Sequence, residues 1–301
     1  MIGPAALTMG VFDGVHRGHA AILEATRKAA EARGLPSVAL VFDPHPDEVV
    51  SPGLVVPRLA PFDVNAMRIE RDIGVTHAVP MLFDDETRSL EAMEFLAYLN
   101  TEIETRVLVM TSDSAFGRNR GGTVESMRSF GRTAGFLVEV VEPVLDEGAA
   151  ISSSRIRTAV AAGDLSTVQR LGRPAFLKGV VVEGDHRGRE LGFPTANLRF
   201  DYVAAMPPLG IYTGRVSVPE RGVGPGHPAL VSIGVRPTFH EGGQQLVEAY
   251  LLDFDGDLYG ADLELDLLDH LRDERRFEDV AALVAQMQQD EAHARALFGL
   301  S

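Results

Sequence analysis

Two histidines lie close together where an apolar run gives way to an amphipathic stretch. The segment Gly10–His19 reads Gly-Val-Phe-Asp-Gly-Val-His-Arg-Gly-His. Amides at a helix start and the helix dipole attract anions, glycines let a phosphate approach the backbone, and His16 and His19 can donate hydrogen bonds to it. The segment therefore predicts transfer chemistry at a phosphate. The alternative is that both histidines are ordinary surface residues. A second segment suited to phosphate would favour the first interpretation.

A serine cluster followed by arginines is that second segment. Residues Ile151–Arg157 read Ile-Ser-Ser-Ser-Arg-Ile-Arg. The hydroxyls of Ser152 and Ser153, free amides at a helix start and the Arg155 guanidinium together would hold a leaving polyphosphate. The alternative is an ordinary serine cap with arginines on a solvated face. The pairing with the histidine segment favours phosphate binding.

A glycine-rich basic loop occurs in the second half of the chain. Glu183–Asn197 reads Glu-Gly-Asp-His-Arg-Gly-Arg-Glu-Leu-Gly-Phe-Pro-Thr-Ala-Asn. Thr195 and Asn197 offer neutral oxygens, which suit a Mg²⁺ ion that keeps part of its water shell. No Gly-Lys-Ser/Thr follows, so the loop is not a Walker motif. The alternative is a hairpin loop with Gly188 and Gly192 at positive φ.

Two kinds of secondary structure must position these segments. Up to about residue 172, short apolar runs alternate with longer amphipathic stretches, which predicts parallel strands joined by crossover helices in a doubly wound α/β domain. The first helix is predicted over Gly18–Arg33, ending at Gly34. The predicted strands are Ala5–Phe12, Ser37–Phe42, Thr76–Pro80, Arg106–Met110 and Phe136–Val141, each expected to be buried on both faces.

After Gly172 the pattern changes to β runs separated by glycine and proline, which predicts a small antiparallel barrel. A final amphipathic helix is expected from about Phe277 to Phe298. The fold class is thus α/β plus β, with domains 1–172 and 173–301. The barrel runs are Gly179–Val182, Ile211–Val218, Ala229–Ile233, Leu246–Phe254 and Leu263–Leu268.

Composition restricts the partners and the compartment. The 301 residues, 45% of them hydrophobic, suit two domains that each bury a core. A net charge of -15 argues against a nucleic-acid partner. The absence of cysteine excludes disulfides and fits a reducing compartment, and neither a signal peptide nor an apolar run of about eighteen residues occurs. We therefore expect a soluble cytoplasmic protein without a membrane partner.

Gly10–His19, Phe42–Pro46 and Ile151–Arg157 together resemble the adenylyltransferase half of the prokaryotic bifunctional riboflavin kinase/FAD synthetase family. The resemblance implies a nucleotidylyltransferase-like, Rossmann-like fold. It also implies that His16 and His19 are catalytic and stabilise charge on the α-phosphate of ATP, while the FMN phosphate attacks and pyrophosphate leaves. The implied ATP- and FMN-binding residues are Gly10, Phe12, Asp13, Gly14, Asp43, Asp113, Ser152, Ser153 and Arg155.

The chain departs from that family's pattern just before Phe116-Gly117. Ser112 stands where a glycine is usual, and Ser114 stands where the first phenylalanine of Phe-x-Phe-Gly is usual. The change at 114 removes stacking surface for a flavin or adenine ring. The chain also begins close to its first predicted strand, as expected if a short N-terminal extension were missing.

Gly188–Asn197 closely resembles the signature of the riboflavin kinase module, in which the threonine and asparagine of Pro-Thr-Ala-Asn serve Mg-ATP. Glu248 matches that family's Val-Glu pattern and is the implied general base for the ribityl 5′-hydroxyl, although most strand glutamates simply face solvent. Arg272, beside Asp273 and Glu274, also suits a solvated charge run. The implied Mg²⁺ ligands are Thr195 and Asn197, and the implied ATP- and flavin-binding residues are Gly188, Gly192, Phe193, Thr195, Asn197 and Arg272.

The predicted function is flavin cofactor synthesis. Riboflavin is phosphorylated to FMN, and FMN is then adenylylated to FAD with release of pyrophosphate; ATP is the co-substrate and Mg²⁺ the cofactor. One alternative is a riboflavin kinase whose adenylyltransferase half has degenerated at Ser112 and Ser114. Another is a non-catalytic regulatory protein that binds a flavin or a nucleotide, which would have no use for a general base such as Glu248.

Overall fold

A five-stranded parallel sheet forms the centre of the N-terminal half of this computed structural model, which describes residues 2–184, 188, 191–235 and 245–300. The strands lie side by side in the order β3-β2-β1-β4-β7, and all four neighbouring pairs are parallel. Their bounds are β1 Gly3–Gly10, β2 Ser37–Asp43, β3 His77–Leu82, β4 Ile103–Thr111 and β7 Leu137–Val141.

Helices cover both faces of this sheet. Alternate strand residues point to opposite faces, and here both sets include buried apolar residues. Leu7 and Leu40 pack with Phe95 on one face, whereas Ala6 and Ala39 pack with Leu23 on the other. The helices are α1 Arg17–Glu31, α2 Pro46–Val50, α3 Phe62–Met67 with a π-helical turn Arg68–Ile73, α4 Asp85–Ser89, α5 Ala92–Leu99 and α6 Val124–Ala134. Two small hairpins complete this half, β5 Ala115–Phe116 with β6 Gly122–Thr123, and β8 Leu145–Asp146 with β9 Ala149–Ala150.

A closed antiparallel barrel forms the C-terminal half, with the strand order β10-β11-β14-β13-β12-β15. Along β15, buried and partly exposed residues alternate, as expected when one face points into a barrel. The strands are β10 Ala175–Val182, β11 Ala196–Arg199, β12 Gly210–Val218, β13 Val223–Val235, β14 Gln245–Leu251 and β15 Asp262–Asp273, and the helices of this half are α7 Ser153–Ala161, α8 Leu165–Leu171 and α9 Val280–Phe298.

The chain divides into two compact units, residues 1–155 and 156–301. Helix α8 contacts β10 and β15 and so belongs to the second unit, although it precedes the boundary predicted near residue 172. Helix α9 packs outside the barrel, where its Ala294 contacts Leu230 and Leu252. Within the described part of the chain, no helix combines the length and apolarity needed to cross a membrane.

The structure confirms the predicted fold class, with two differences. β3 and β7 are edge strands, and only Met81 of the six β3 residues is buried, so the expectation of burial on both faces is wrong for these two strands. Strand β11 was not predicted, because four residues beside a glycine-rich loop are too few to display an alternating pattern.

Candidate functional site

The histidine segment forms a tight turn between β1 and α1. His16, only 3% exposed, caps the helix, and its Nδ1 accepts a hydrogen bond from the His19 backbone amide at 3.2 Å. The two imidazole rings stack with their centroids 3.6 Å apart, and Phe12 packs edge-on against His19. Two imidazoles are therefore held parallel at the amino end of a helix, where an anion is favoured.

The backbone of this turn is strained. Phe12 and Val15 have φ values of 50° and 41°, a region that side-chain-bearing residues seldom occupy, and both side chains are buried. Gly14, at φ 81°, lies so close to Leu59 that a Cβ there would be 2.9 Å from the leucine Cβ. Strain of this kind persists only where surrounding contacts hold it, and it is concentrated at functional sites.

Asp13 points into the protein. Its carboxylate is 2% exposed and accepts hydrogen bonds from the backbone amides of Leu59 and Ala60 at 2.9 to 3.2 Å. Asn65 supports the same loop, because its side chain accepts from the Gly14 amide and donates to the Ala60 carbonyl. Asp13 thus holds a distant loop against the histidine turn.

The serine segment lies against the same turn, although about 140 residues separate the two in sequence. Ser153 Oγ donates to the Asp13 carbonyl at 3.0 Å, and a Cβ at Gly18 would be 3.1 Å from the Ile151 carbonyl oxygen. The Arg155 guanidinium pairs with Asp146 at 2.8 Å and also donates to backbone carbonyls. Histidines, helix amides and serine hydroxyls therefore share one site.

The site sits where the strand order reverses, between β1 and β4. Ligands of open α/β sheets bind in the crevice outside the carboxyl ends of the strands at such a switch point. Asp43, at the end of β2, and Asp113, just past β4, are both exposed at this edge. Ser112 Oγ donates to Glu142 at 2.8 Å, and Ser114 Oγ donates to the Thr111 carbonyl at 2.9 Å.

In the barrel, the described part of the glycine-rich loop lies over Thr195 and Asn197. A Cβ at Gly184 would overlap the Asn197 amide, and one at Gly188 would be 3.3 Å from Thr195 Oγ1. Asn197 is 7% exposed, and its β-ladder partner on β14 is Glu248. Residues directly opposite in a ladder share one face, so the asparagine and glutamate side chains project to the same side.

Aromatic residues flank this group. Phe193 is buried and packs edge-on against Tyr250, with ring centroids 5.4 Å apart. Burial raises the pKa of the Tyr250 hydroxyl. Gly192 has the positive φ, 87°, that the hairpin-loop alternative expects, whereas Gly188 lacks the positive φ that the same alternative expects of it. The run Ile233–Thr238 also resembles the riboflavin kinase module, but its residues Arg236, Pro237 and Thr238 lie outside the described residues.

Arg272 is held by the last helix. Its guanidinium forms three hydrogen bonds to the Asp290 carboxylate, the shortest at 2.7 Å, and Gln286 donates to the same carboxylate. The Asp290 side chain is 9% exposed and that of Arg272 19%. The arginine therefore joins β15 to α9 and does not lie in a solvated charge run.

No group of three or more His, Asp or Glu side chains within the described residues is arranged to hold a metal ion. Mg²⁺ needs no such group, because it keeps several waters and binds through few protein oxygens. Thr195 Oγ1 and Asn197 Oδ1 are such oxygens, and their side of the barrel also carries Glu248. The donor set therefore fits Mg²⁺.

Comparisons with known proteins cover both halves of the chain. A family model described as FAD synthetase matches residues 2–155, and one described as riboflavin kinase matches residues 171–298. Bifunctional riboflavin kinase/FMN adenylyltransferases are similar over nearly the whole length. That of Pseudomonas fluorescens is 36% identical, covering 96% of this chain and 92% of the relative, and that of Listeria monocytogenes is 33% identical, covering 97% and 92%.

The chain belongs to the bifunctional riboflavin kinase/FMN adenylyltransferase family. A crystal structure from Streptococcus pneumoniae, named as a macrolide-efflux protein, is also similar, with 30% identity, a TM-score of 0.85 and coverage of 98% of this chain and 99% of that one.

Three residues that contact predicted site residues were missed by sequence reasoning: Asn65, Tyr250 and Asp290. Each acts through contacts between residues that are far apart in sequence or on different elements. A lone asparagine, tyrosine or aspartate in a helix or strand carries no local signal of such contacts.

Proposed function

We propose that this chain phosphorylates riboflavin to FMN in the barrel and then adenylylates FMN to FAD at the parallel sheet, using Mg-ATP for both steps. The observation that carries the proposal is that each unit brings together side chains suited to handling phosphate. The stacked pair His16 and His19 stands at the start of α1, and Asn197 stands opposite Glu248 in the barrel. Membership of the family supports both activities. We further propose that the protein acts in the cytoplasm.

For the kinase step, Glu248 is the proposed general base. It accepts the proton of the ribityl 5′-hydroxyl as that oxygen attacks the γ-phosphate of ATP, and ADP leaves. Thr195 and Asn197 would hold Mg²⁺, and the bound ion would neutralise developing charge on the phosphates. The close approach of Gly184 and Gly188 lets loop amides lie near the same phosphates.

For adenylyl transfer, the FMN phosphate is itself the nucleophile, so no protein nucleophile is needed. Its oxygen attacks the α-phosphate of ATP, and the bond to pyrophosphate breaks. His16 and His19 would donate hydrogen bonds to the α-phosphate as its charge develops, and α1 adds its dipole. The Ser152 hydroxyl would hold the leaving pyrophosphate, and the Ser153 hydroxyl would join it after releasing the Asp13 carbonyl. Asp13 is proposed to act by positioning the turn, because its carboxylate accepts protein amides.

The test is a chromatographic time course of riboflavin, FMN and FAD with Mg-ATP. The Glu248→Gln variant should lose riboflavin phosphorylation by roughly 10²–10⁴-fold yet still convert supplied FMN to FAD. The His19→Asn variant should phosphorylate riboflavin normally but lose conversion of FMN to FAD. Circular dichroism of both variants, compared with that of the unsubstituted protein, controls for folding.

The two alternatives give different time courses. FMN that accumulates without FAD would identify a riboflavin kinase with a degenerate sheet site. If one activity has been lost, the changes at Ser112 and Ser114 favour loss of adenylylation alone over loss of both activities. Flavin binding without ATP consumption would identify a regulatory protein. Removal of Mg²⁺ with a chelator should stop both conversions, and its readdition should restore them.

A further inference from the structure

An open cleft of about 940 Å³ lies beside the switch point of the sheet. The loop Ser112–Ala115 forms one wall, and the exposed face of α6, with Arg128, Ser129 and Arg132, forms the other. Arg120 lines the cleft too, from the hairpin that joins the walls. We call this feature the arginine cleft. Its volume is within the range of pockets that hold small ligands.

Among the residues that the structure describes, the three arginines have no carboxylate partner. In the described part of the chain, no Asp or Glu oxygen lies within ion-pair distance of Arg120, Arg128 or Arg132, although Asp113 and Glu125 also line the cleft. Within the described ranges, the one hydrogen bond that these guanidinium groups make to a side chain goes from Arg132 to Ser129 Oγ at 3.4 Å. Unpaired guanidinium groups are unexpected in a chain with 43 acidic and 28 basic residues. A ligand anion would supply the missing charge.

The spacing of the arginines indicates the kind of anion. Arg128 and Arg132 are four residues apart on α6, so their side chains are neighbours on one helix face, with Cβ atoms about 5–6 Å apart. Two adjacent guanidinium forks match two adjacent phosphate groups better than a single phosphate. Arg120 adds a third fork, and it is held with φ 56° next to Asn119 at φ 53°, a strained pair of residues.

The arginine cleft lies at the same edge of the sheet as the histidine turn, but different elements form it. β1 and β4 are paired neighbours, with Leu7 opposite Leu108, so the chain leaves both strands at the same edge. The Ser112–Ala115 wall therefore begins just past the end of β4, at the carboxyl edge of the sheet where β1 also ends. The arginines themselves lie farther along, on α6 and its hairpin.

We propose that the arginine cleft is a second anion site that binds a diphosphate group. Pyrophosphate, ADP and FAD share this group, and all three are products of the reactions proposed above. The diphosphate would be held by Arg128 and Arg132, with Arg120 as the third contact. Binding at this site does not require catalysis, so it can be tested whether or not the proposed function is correct.

The first test maps arginine reactivity on the full chain. Phenylglyoxal modifies free guanidinium groups, and mass spectrometry of peptides identifies which arginines react. Pyrophosphate, ADP or FAD should protect Arg128 and Arg132 at concentrations where inorganic phosphate does not. Arg106, an exposed arginine on β4 paired with Glu104, is the internal control and should react equally throughout.

The pattern of protection shows which compound supplies the diphosphate group. Protection by pyrophosphate alone would identify the inorganic product as the ligand, and protection by ADP or FAD would identify a nucleotide. Equal protection by inorganic phosphate would show a non-specific basic patch and overturn the proposal, as would no protection by any diphosphate.

The second test compares the paired variant Arg128→Gln/Arg132→Gln with Arg106→Gln. Titration calorimetry with pyrophosphate should give a dissociation constant on the order of tenfold or more weaker for the paired variant at the affected site, because charge-assisted contacts are lost. Thermal melting of both variants, compared with that of the unsubstituted protein, reports that each has folded, because riboflavin phosphorylation is proposed for the other unit. Equal affinity for pyrophosphate in the two variants would contradict the proposal.

Discussion

At the scale of single residues, Asp13 illustrates how a residue in a ligand-binding motif can serve the protein backbone. Its buried carboxylate accepts the amides of Leu59 and Ala60. In the Asp13→Asn variant, an amide NH₂ would face these donors, so we expect a loss of about 1–3 kcal/mol in unfolding free energy. The same variant should form FAD more slowly, whereas its phosphorylation of riboflavin should be unchanged.

Urea unfolding checks this expectation. Asp85→Asn, which changes an exposed carboxylate in α4, is the matched control. If the Asp13 and Asp85 variants unfold at the same urea concentration, the amide contacts contribute nothing to stability.

Tyr212 gives the barrel a pH-dependent stability at alkaline pH. Burial, followed by the nearby charge of Asp273, raises the pKa of its hydroxyl from 10.0 to about 12. Because the pKa in the folded state is above that of the unfolded state, this stability is fully present below pH 10 and is lost as pH rises through 12. The Tyr212→Phe variant should lack this part of the decline.

Urea midpoints measured from pH 9 to pH 12 provide the comparison, with Tyr98→Phe as the control at an exposed tyrosine. The phenylalanine variant at 212 also loses the hydrogen bond to the Pro208 carbonyl, which shifts its midpoint at every pH. The pKa of the Tyr212 hydroxyl is therefore tested only by how steeply the urea midpoint falls with pH above pH 10. Parallel curves for the 212 variant and the unsubstituted protein would contradict the prediction.

At the scale of elements, α9 depends on a salt bridge with the barrel. Arg272 and Asp290 are both mostly buried, and removing one partner leaves the other charge without compensation. We expect Asp290→Asn to cost about 3 kcal/mol of unfolding free energy. The double variant Arg272→Met/Asp290→Leu should recover much of that loss, since an apolar pair replaces the salt bridge.

Denaturant unfolding followed by circular dichroism measures this effect on α9. Glu278→Gln, at an exposed position just before the helix, has the same type of charge change and should leave the midpoint unchanged. A double variant less stable than Asp290→Asn would mean that the salt bridge is not the main interaction that Arg272 and Asp290 make.

At the scale of the whole molecule, the question is where the kinase unit begins. Helix α8 buries Leu165, Val168 and Leu171, and Gln169 donates to the Leu268 carbonyl on β15. A fragment of residues 156–301 should therefore fold and phosphorylate riboflavin. A fragment of residues 173–301 lacks α8 and should be less stable by roughly 1.5–3 kcal/mol for each buried side chain removed.

Thermal melting and the riboflavin assay on both fragments test this difference. The domain boundary near residue 172 remains a prediction until then. Equal melting temperatures for the two fragments would favour that boundary over the division between residues 155 and 156.

Local patterns in the sequence determined the two halves, most strands, the first and last helices and the motifs that are predicted to handle phosphate. Hydrophobic periodicity and glycine positions influence structure over a few neighbouring residues, so their effects can be predicted from the sequence without knowledge of the fold. The family resemblance added roles for His16, His19 and Glu248, which no local pattern distinguishes from surface residues.

Only the tertiary structure decided how these residues are placed. It brought Ser153 to the Asp13 carbonyl, aligned Asn197 with Glu248, joined Arg272 to Asp290 and left the arginine cleft without carboxylate partners in the described part of the chain. Each of these facts depends on residues that are distant in sequence or on separate elements. Packing and strand register bring such residues together, and neither can be read from a residue's own neighbours along the chain.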